Sequence, residues 1–417
     1  IDIIIKYVPQ ADDEHWIFWL KVFTEMMKIP TFFNLFRSEC DQSDDNDISY
    51  IQLDTLFELI TNLMKYKKIR SNKFYADQRS LSLLLFSTFL KYSPYPPSPD
   101  TVNSIFELSD SLADIDMPNT DFKNLLSILN KLIALSPISF LIDSNSPFHA
   151  PFNDKILKTI FEKWNDYQTS SSVRKSASAY LLLFLTTMDA LEYPIEQNVY
   201  DSWAKRILSV WSNFQNRGKI LKSHKYIPYL RTDVEFFKRS NDDSIPQRLI
   251  QFILKKNKFN PNFSIIWLFT AIGLYSPTII PQGDWLKILR SITTFKIGDA
   301  IIRDQEILTD FLDFVSVMVD IIESKTEWNN VFIFLINNQP ARPISSFYSL
   351  ISKILSKQKI DTQTVHKYQE LFWDAQSNST LFTIERLRCI HTLIYYFGFA
   401  NEVSRTNCFD SLISLLD

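Results

Sequence analysis

The chain has 417 residues with a formal net charge of −3, and 46% of it is hydrophobic, 22% charged and 14% aromatic. These proportions are close to those of soluble globular proteins, so disorder is not the default, and the chain as a whole has no polyelectrolyte character. Only five glycines occur, Gly218, Gly273, Gly283, Gly298 and Gly398, which excludes the phosphate loop, the dinucleotide fingerprint and the nucleophile elbow, all of them built on glycine.

Apolar residues recur every three to four positions along most of the chain, the period of an amphipathic helix. In 12–28, Trp16, Trp19, Leu20, Phe23, Met26 and Met27 share one face behind an N-cap at Asp12 or Asp13. Residues 51–66 repeat the pattern with Leu53, Leu56, Phe57, Ile60, Leu63 and Met64. Helices are predicted next over 71–92, 100–113 and 121–135, the last through Phe122, Leu125, Leu126, Leu129, Leu132 and Ile133. Further along come 153–165, 171–191, 195–214, 244–256, 263–275, 282–295, 299–324, 328–337, 345–357, 361–376, 379–397 and 405–416. Strand-type alternation is nearly absent, so the expected class is all-α. Long interruptions are expected at 39–47, 93–99, 136–151 and 213–232. Proline with Ser, Asn and Asp caps supplies the punctuation, and little positive φ is expected. Gly218, Gly283 and Gly398 are placed at turns or helix ends. Gly273, inside the most apolar helix, should mark a close contact between helices.

One phrase recurs. Ser82–Pro94 (SLLLFSTFLKYSP), Leu125–Pro137 (LLSILNKLIALSP) and Ile265–Pro277 (IIWLFTAIGLYSP) each run as an apolar helix and stop at Ser-Pro. The terminal prolines lie 43 and then 140 residues apart, about one and three periods of 40–47 residues. At the superfamily level the chain resembles the HEAT/armadillo-type helical repeats, diffusely and over its whole length. That resemblance implies an α-solenoid of irregular repeats and a habit of binding partners. The expected organisation is one elongated domain over 1–417, divisible into sub-arrays 1–212 and 233–417 joined by a loop-rich basic segment, 213–232.

Catalytic chemistry finds little footing. The five histidines, His15, His149, His224, His366 and His391, form no zinc-type spacing with Cys40, Cys389 or Cys408, and Cys389 and His391 diverge on a predicted helix. The carboxylate pairs Asp12–Asp13, Asp44–Asp45 and Asp242–Asp243 fall at helix starts or in polar loops, where they cap and solvate. No catalytic, cofactor or metal residue is assigned, and no enzyme is expected. The aromatic pairs Trp16 with Trp19 and Trp203 with Trp211 lie at helical spacing and read as core. The longest apolar run, 263–275, has thirteen residues, short of the roughly 20 a membrane span needs. With Ile1 as first residue, the chain is expected to be a fragment or part of something longer. Its three scattered cysteines fit a reducing compartment, nuclear or cytoplasmic.

Charge is uneven. Residues 217–258 hold eleven basic and four acidic side chains, a net +7 that leaves −10 elsewhere. The candidate partner-binding residues are Arg217, Lys219, Lys222, Lys225, Arg231, Lys238, Arg239, Lys255 and Lys256. Tyr226, Tyr229, Phe236 and Phe237 are interleaved with them. The expected function is a non-catalytic scaffold or adaptor that binds protein partners within a larger assembly. The alternative is a nucleic-acid-associated helical repeat, in chromatin or ribosome assembly, using 217–258. No membrane and no small-molecule substrate is expected.

Overall fold

The structure, a computed structural model, describes residues 13–32, 72–93, 99–114, 116–135, 155–165, 171–190, 192, 195–217, 227, 230–260, 263–294, 305–340, 344–358, 360–367 and the single positions 384, 387 and 413. Apart from those single positions, the predicted helices at 51–66, 379–397 and 405–416 lie outside these residues, as do the interruptions 39–47 and 136–151. Among the described residues about 84% are helical, in fifteen α-helices, so the class is all-α.

Two compact units divide the chain, Ile1–Ile195 and Glu196–Asp417. In the first, α1 is Asp13–Met27, α2 Asn72–Tyr92, α3 Pro99–Leu112, α4 Asn119–Leu135, α5 Lys155–Asn165 and α6 Ser171–Ala190. One row runs α1, α2, α4, α6 by direct packing, and α3 packs on α5 beside it. Leu83, Phe86, Phe89 and Leu90 of α2 and Leu125, Leu129 and Leu132 of α4 are buried there. Each set repeats at helical spacing, which is why these faces close on one another. The polar link in this core is Arg79 of α2. Its guanidinium lies 3.3 Å from Asp114 and 3.6 Å from Asp121, while Ser80 Oγ donates to Asp121 at 2.7 Å.

The second unit holds α7 Gln197–Arg217, α8 Arg231–Arg239, α9 Ser244–Ile253, α10 Phe263–Tyr275, α11 Gln282–Ile292, α12 Gln305–Ile321, α13 Lys325–Asn337, α14 Ser345–Lys357 and α15 Thr362–His366. Packing skips alternate helices. Helices α8, α10, α12 and α14 contact in series, while α7 packs on α9 and α11 on α13. One continuous row results, with two odd-numbered pairs beside it, and each even-numbered helix also meets an odd-numbered neighbour. The unit boundary falls ahead of α7. The reason is that α7 is bound to α8 and its C-cap: Trp203 stacks on Phe236 of α8 with ring centroids 6.0 Å apart, and Asp201 accepts from Ser240 Oγ at 2.6 Å. The Ser240 hydroxyl, with Gln197 and the Asn241 N–H, holds the Asp201 carboxyl below the usual carboxylate range.

Helices α2, α4 and α10 carry the recurring phrase, and each ends two residues before its proline, at Tyr92, Leu135 and Tyr275. A proline disfavours helical backbone at the residue before it, and Ser276 duly sits at φ −160°, ψ 74°. A second recurrence appears in three dimensions. Trp285 is the fourth residue of α11 and Trp328 the fourth of α13, 43 positions on, and both are wholly buried. The indole of Trp285 donates to the Pro277 carbonyl at 3.0 Å, and that of Trp328 to the Ile322 carbonyl at 2.9 Å. Carbonyls at the end of α12 are thereby satisfied from neighbouring helices, with Gln282 donating to Ile321 O and Gln358 to Val319 O and Ile322 O. Gly273 lies where expected. A Cβ built on it would fall inside contact distance of Val317 Cγ1 on α12 and 3.0 Å from Ile321 Cδ1. Gly283 is the second residue of α11, at a helix start as expected, with open space around it.

Two local expectations are corrected. The helix predicted over 244–256 stops at Ile253 and gives way to a hairpin, β1 Leu254–Lys255 and β2 Lys258–Phe259. Helix α8 occupies 231–239, a stretch not predicted as helical, because Val234, Phe236 and Phe237 bury one side of it.

Candidate functional site

Of the candidate basic residues, Lys219, Lys222 and Lys225 lie outside the described residues, and only the backbone of Arg217, the last residue of α7, lies within them. The remainder divide by what they touch. Arg231 opens α8 with its guanidinium 5.7 Å from the Tyr275 ring centroid, a cation–π contact with the end of α10. Arg239 closes α8 half-buried, 3.5 Å from Glu235, 3.4 Å from the Tyr200 hydroxyl and over that ring. Its charge joins α8 to α7. Lys238 is exposed at the helix C-terminus, where the dipole favours a cation.

Lys255 and Lys256 are brought together on the hairpin, and with them Lys258, which belongs to the basic segment but not to the candidate residues. All three are exposed, and among the described residues no carboxylate lies within ion-pair distance of them. The hairpin packs on α9 and α11, and Phe259 lies against Phe311 and Phe314 of α12. The interleaved rings Phe236 and Phe237 are core residues, not surface ones. Tyr226 and Tyr229 lie outside the described residues.

Asp233, in the first turn of α8, is one of the four acidic side chains in the segment's charge. It is buried, and burial pushes its carboxyl up to about 8 against the opposing pull of the Trp211 indole, which donates to Oδ2 at 2.7 Å. The segment is therefore more positive at neutral pH than its residue count. Nothing local reveals this, since the partner ring lies twenty-two residues earlier on another helix. Trp203 and Trp211 are core, in keeping with their helical spacing. In the other pair Trp19 is half-buried beside Phe23, and exposed Phe18 packs edge-on against it.

A cleft of about 630 Å³ opens at the C-terminal end of α12, lined by Asp320, Glu323, Lys325, Lys357 and Gln358. Lys353 donates to Asp320 Oδ2 at 2.7 Å and Lys357 donates to Oδ1. Burial raises the Asp320 carboxyl, but the two ammonium groups outweigh it and hold the group below the usual range. These charges join α12 to α14. Among the described residues no group of three His, Cys, Asp or Glu side chains is placed to hold a metal ion, and no helix is long and apolar enough to cross a membrane. A scan of protein-family models and a search of curated proteins find no match to this chain.

Proposed function

We propose that the chain is an α-solenoid of irregular HEAT/armadillo-like repeats acting as a non-catalytic scaffold that holds protein partners within a larger assembly, in the nucleus or cytoplasm. The observation that carries this reading is the packing from α7 to α14, in which α8, α10, α12 and α14 contact in series while α7 meets α9 and α11 meets α13 beside them. Each helical pair is too thin to bury its own apolar face, and stacking supplies the core. Trp285 and Trp328, a repeat length apart with the same bond to the preceding linker, support it. So do the three Ser-Pro stops. Surfaces of this kind bind by shape and charge, without turnover. The test is gentle purification of the endogenous protein followed by native mass measurement and crosslinking. Stoichiometric protein subunits crosslinked to these helices are expected. Recovery as a lone chain overturns the reading.

A second reading, association with nucleic acid through 217–258, is favoured by the exposed lysines of the hairpin. It predicts affinity for duplex DNA or RNA that falls steeply with salt. Lack of binding at low salt ends it.

A further inference from the structure

Among the described residues the only strands are the two short ones of a single hairpin, and it is built against local preference. Leu254 pairs with Phe259 and Lys255 with Lys258, leaving Lys256 and Asn257 as a two-residue loop. Both loop residues have positive φ, 52° and 62°, the signature of a type I′ turn, whose handedness matches the twist of paired strands. Asparagine tolerates that region. Lysine, with its Cβ, is strained there. Directly opposite one another in the ladder stand Lys255 and Lys258, a like-charge pair that weakens a hairpin.

The inner face is firmly held. Leu254 and Phe259 are buried, and Phe259 stacks on Phe314 at 6.1 Å with an 11° interplanar angle while meeting Phe311 edge-on. Asn260 N–H donates to the Ile253 carbonyl at 2.9 Å and extends the pairing by one step. A mount fixed to the core thus carries three ammonium groups on four consecutive residues, all exposed. Backbone strain kept in a rigid setting points to use rather than neglect.

We propose that this hairpin is the docking element for a carboxylate-rich peptide segment of a protein partner; this rests on the scaffold reading above. Three observations favour a peptide over nucleic acid. The ammonium groups fit the width of one hairpin, room for two or three carboxylates but not a track along a phosphate backbone. Of the other candidate bases with described side chains, Arg231 and Arg239 are engaged on Tyr275, Glu235 and Tyr200, which leaves Lys238 exposed at the end of α8. Among the described residues of the segment, the rings that could stack on bases, Phe236, Phe237 and Phe259, are turned into the core.

The test titrates the full chain with a labelled Asp/Glu-rich peptide and, separately, with a single-stranded oligonucleotide. The triple variant Lys255→Gln, Lys256→Gln, Lys258→Gln should bind the peptide about tenfold or more weakly, the cumulative effect of three exposed charge pairs. Its thermal unfolding should be unchanged or shifted upward, since a like-charge pair is removed. Asn257→Gly keeps the turn and the charges and should bind as the unaltered chain does. Equal peptide affinity for the unaltered chain and the triple variant overturns the proposal. So does an oligonucleotide that binds more tightly than the peptide through the same three lysines. Either failure leaves the scaffold reading to be judged by subunit stoichiometry, which does not depend on the hairpin.

Discussion

Gly273→Ala is an informative single change in this chain, because two opposing effects of known size meet at one atom. Gly273 sits near the end of α10 in ordinary helical backbone, so alanine is conformationally acceptable. In a free helix it would add up to about 1 kcal/mol of stability. Here the new Cβ meets Val317 Cγ1 inside contact distance and lies 3.0 Å from Ile321 Cδ1, one turn further along α12. Valine in a helix holds essentially one rotamer, so Val317 cannot swing aside. Overpacking of this kind costs about 1–3 kcal/mol. The net expectation is a loss between roughly 0 and 2 kcal/mol, and a larger loss for Gly273→Val. Val317→Ala alone removes buried methyl groups and costs about 1–3 kcal/mol. Combined with Gly273→Ala it should recover at least about 1 kcal/mol relative to the sum of the single changes, because each relieves the other. Urea unfolding followed by circular dichroism and tryptophan fluorescence measures all four corners of the cycle. A stabilised Gly273→Ala variant, or strict additivity with Val317→Ala, would refute the claim that space sets this residue.

Asp233 makes the second prediction. An ordinary carboxyl ionises near 3.8 in the unfolded chain, but the folded one stays protonated to about 8, so stability should fall as pH rises between those values and level off above them. The slope is about 1.4 kcal/mol per pH unit at most, and Asp233→Asn, which can still accept from Trp211, should flatten the dependence of the urea midpoint on pH; an unchanged slope in the variant refutes the assignment. Arg79→Met leaves buried Asp121 without its cation and should cost about 3–5 kcal/mol, whereas Arg79→Met with Asp121→Leu should recover most of it. A single variant no worse than the double would count against the pairing. Trp328→Phe keeps an aromatic ring but removes the donor to the Ile322 carbonyl, and about 0.5–1.5 kcal/mol of lost stability is expected, since Gln358 still donates there; no measurable change in the urea midpoint would mean the indole bond contributes nothing.

Helix positions are legible where the chain announces its own boundaries. Predicted 263–275 and 345–357 match α10 and α14 end for end, because a proline (Pro261 and Pro277, or Pro343) stands two residues outside a boundary of a strong apolar repeat. The hairpin is not legible. Leu249, Phe252 and Ile253 carry the helical period up to Leu254, and a ladder of two residues per strand is too short to show alternation. Helix α8 is hidden for a different reason: in RTDVEFFKR the charges outnumber the apolar residues, so Phe236 and Phe237 read as surface rings among bases. The basic segment is visible as a count, but a count treats Arg239 and Lys255 alike. Only their partners separate a cation joining two helices from one left facing solvent, and the decisive partner, Tyr200, stands on another helix.

Glycine scarcity leads to an all-α fold through the inference that positive φ is hardly needed. The structure sharpens that link. Among the described residues positive φ occurs at Glu192, Lys256 and Asn257, and at neither Gly273 nor Gly283. Gly273, in contrast, lies in regular helix and is required for the missing side chain alone. In this chain, then, glycine at its most constrained described position marks close packing, and left-handed backbone marks something else. A lysine held at φ 52° between two more lysines, on a mount packed against Phe311 and Phe314, is costly to keep by any local measure. Asn-Gly would make the same turn without that strain, and under the docking proposal the charge at the tip is what Lys-Asn supplies in exchange.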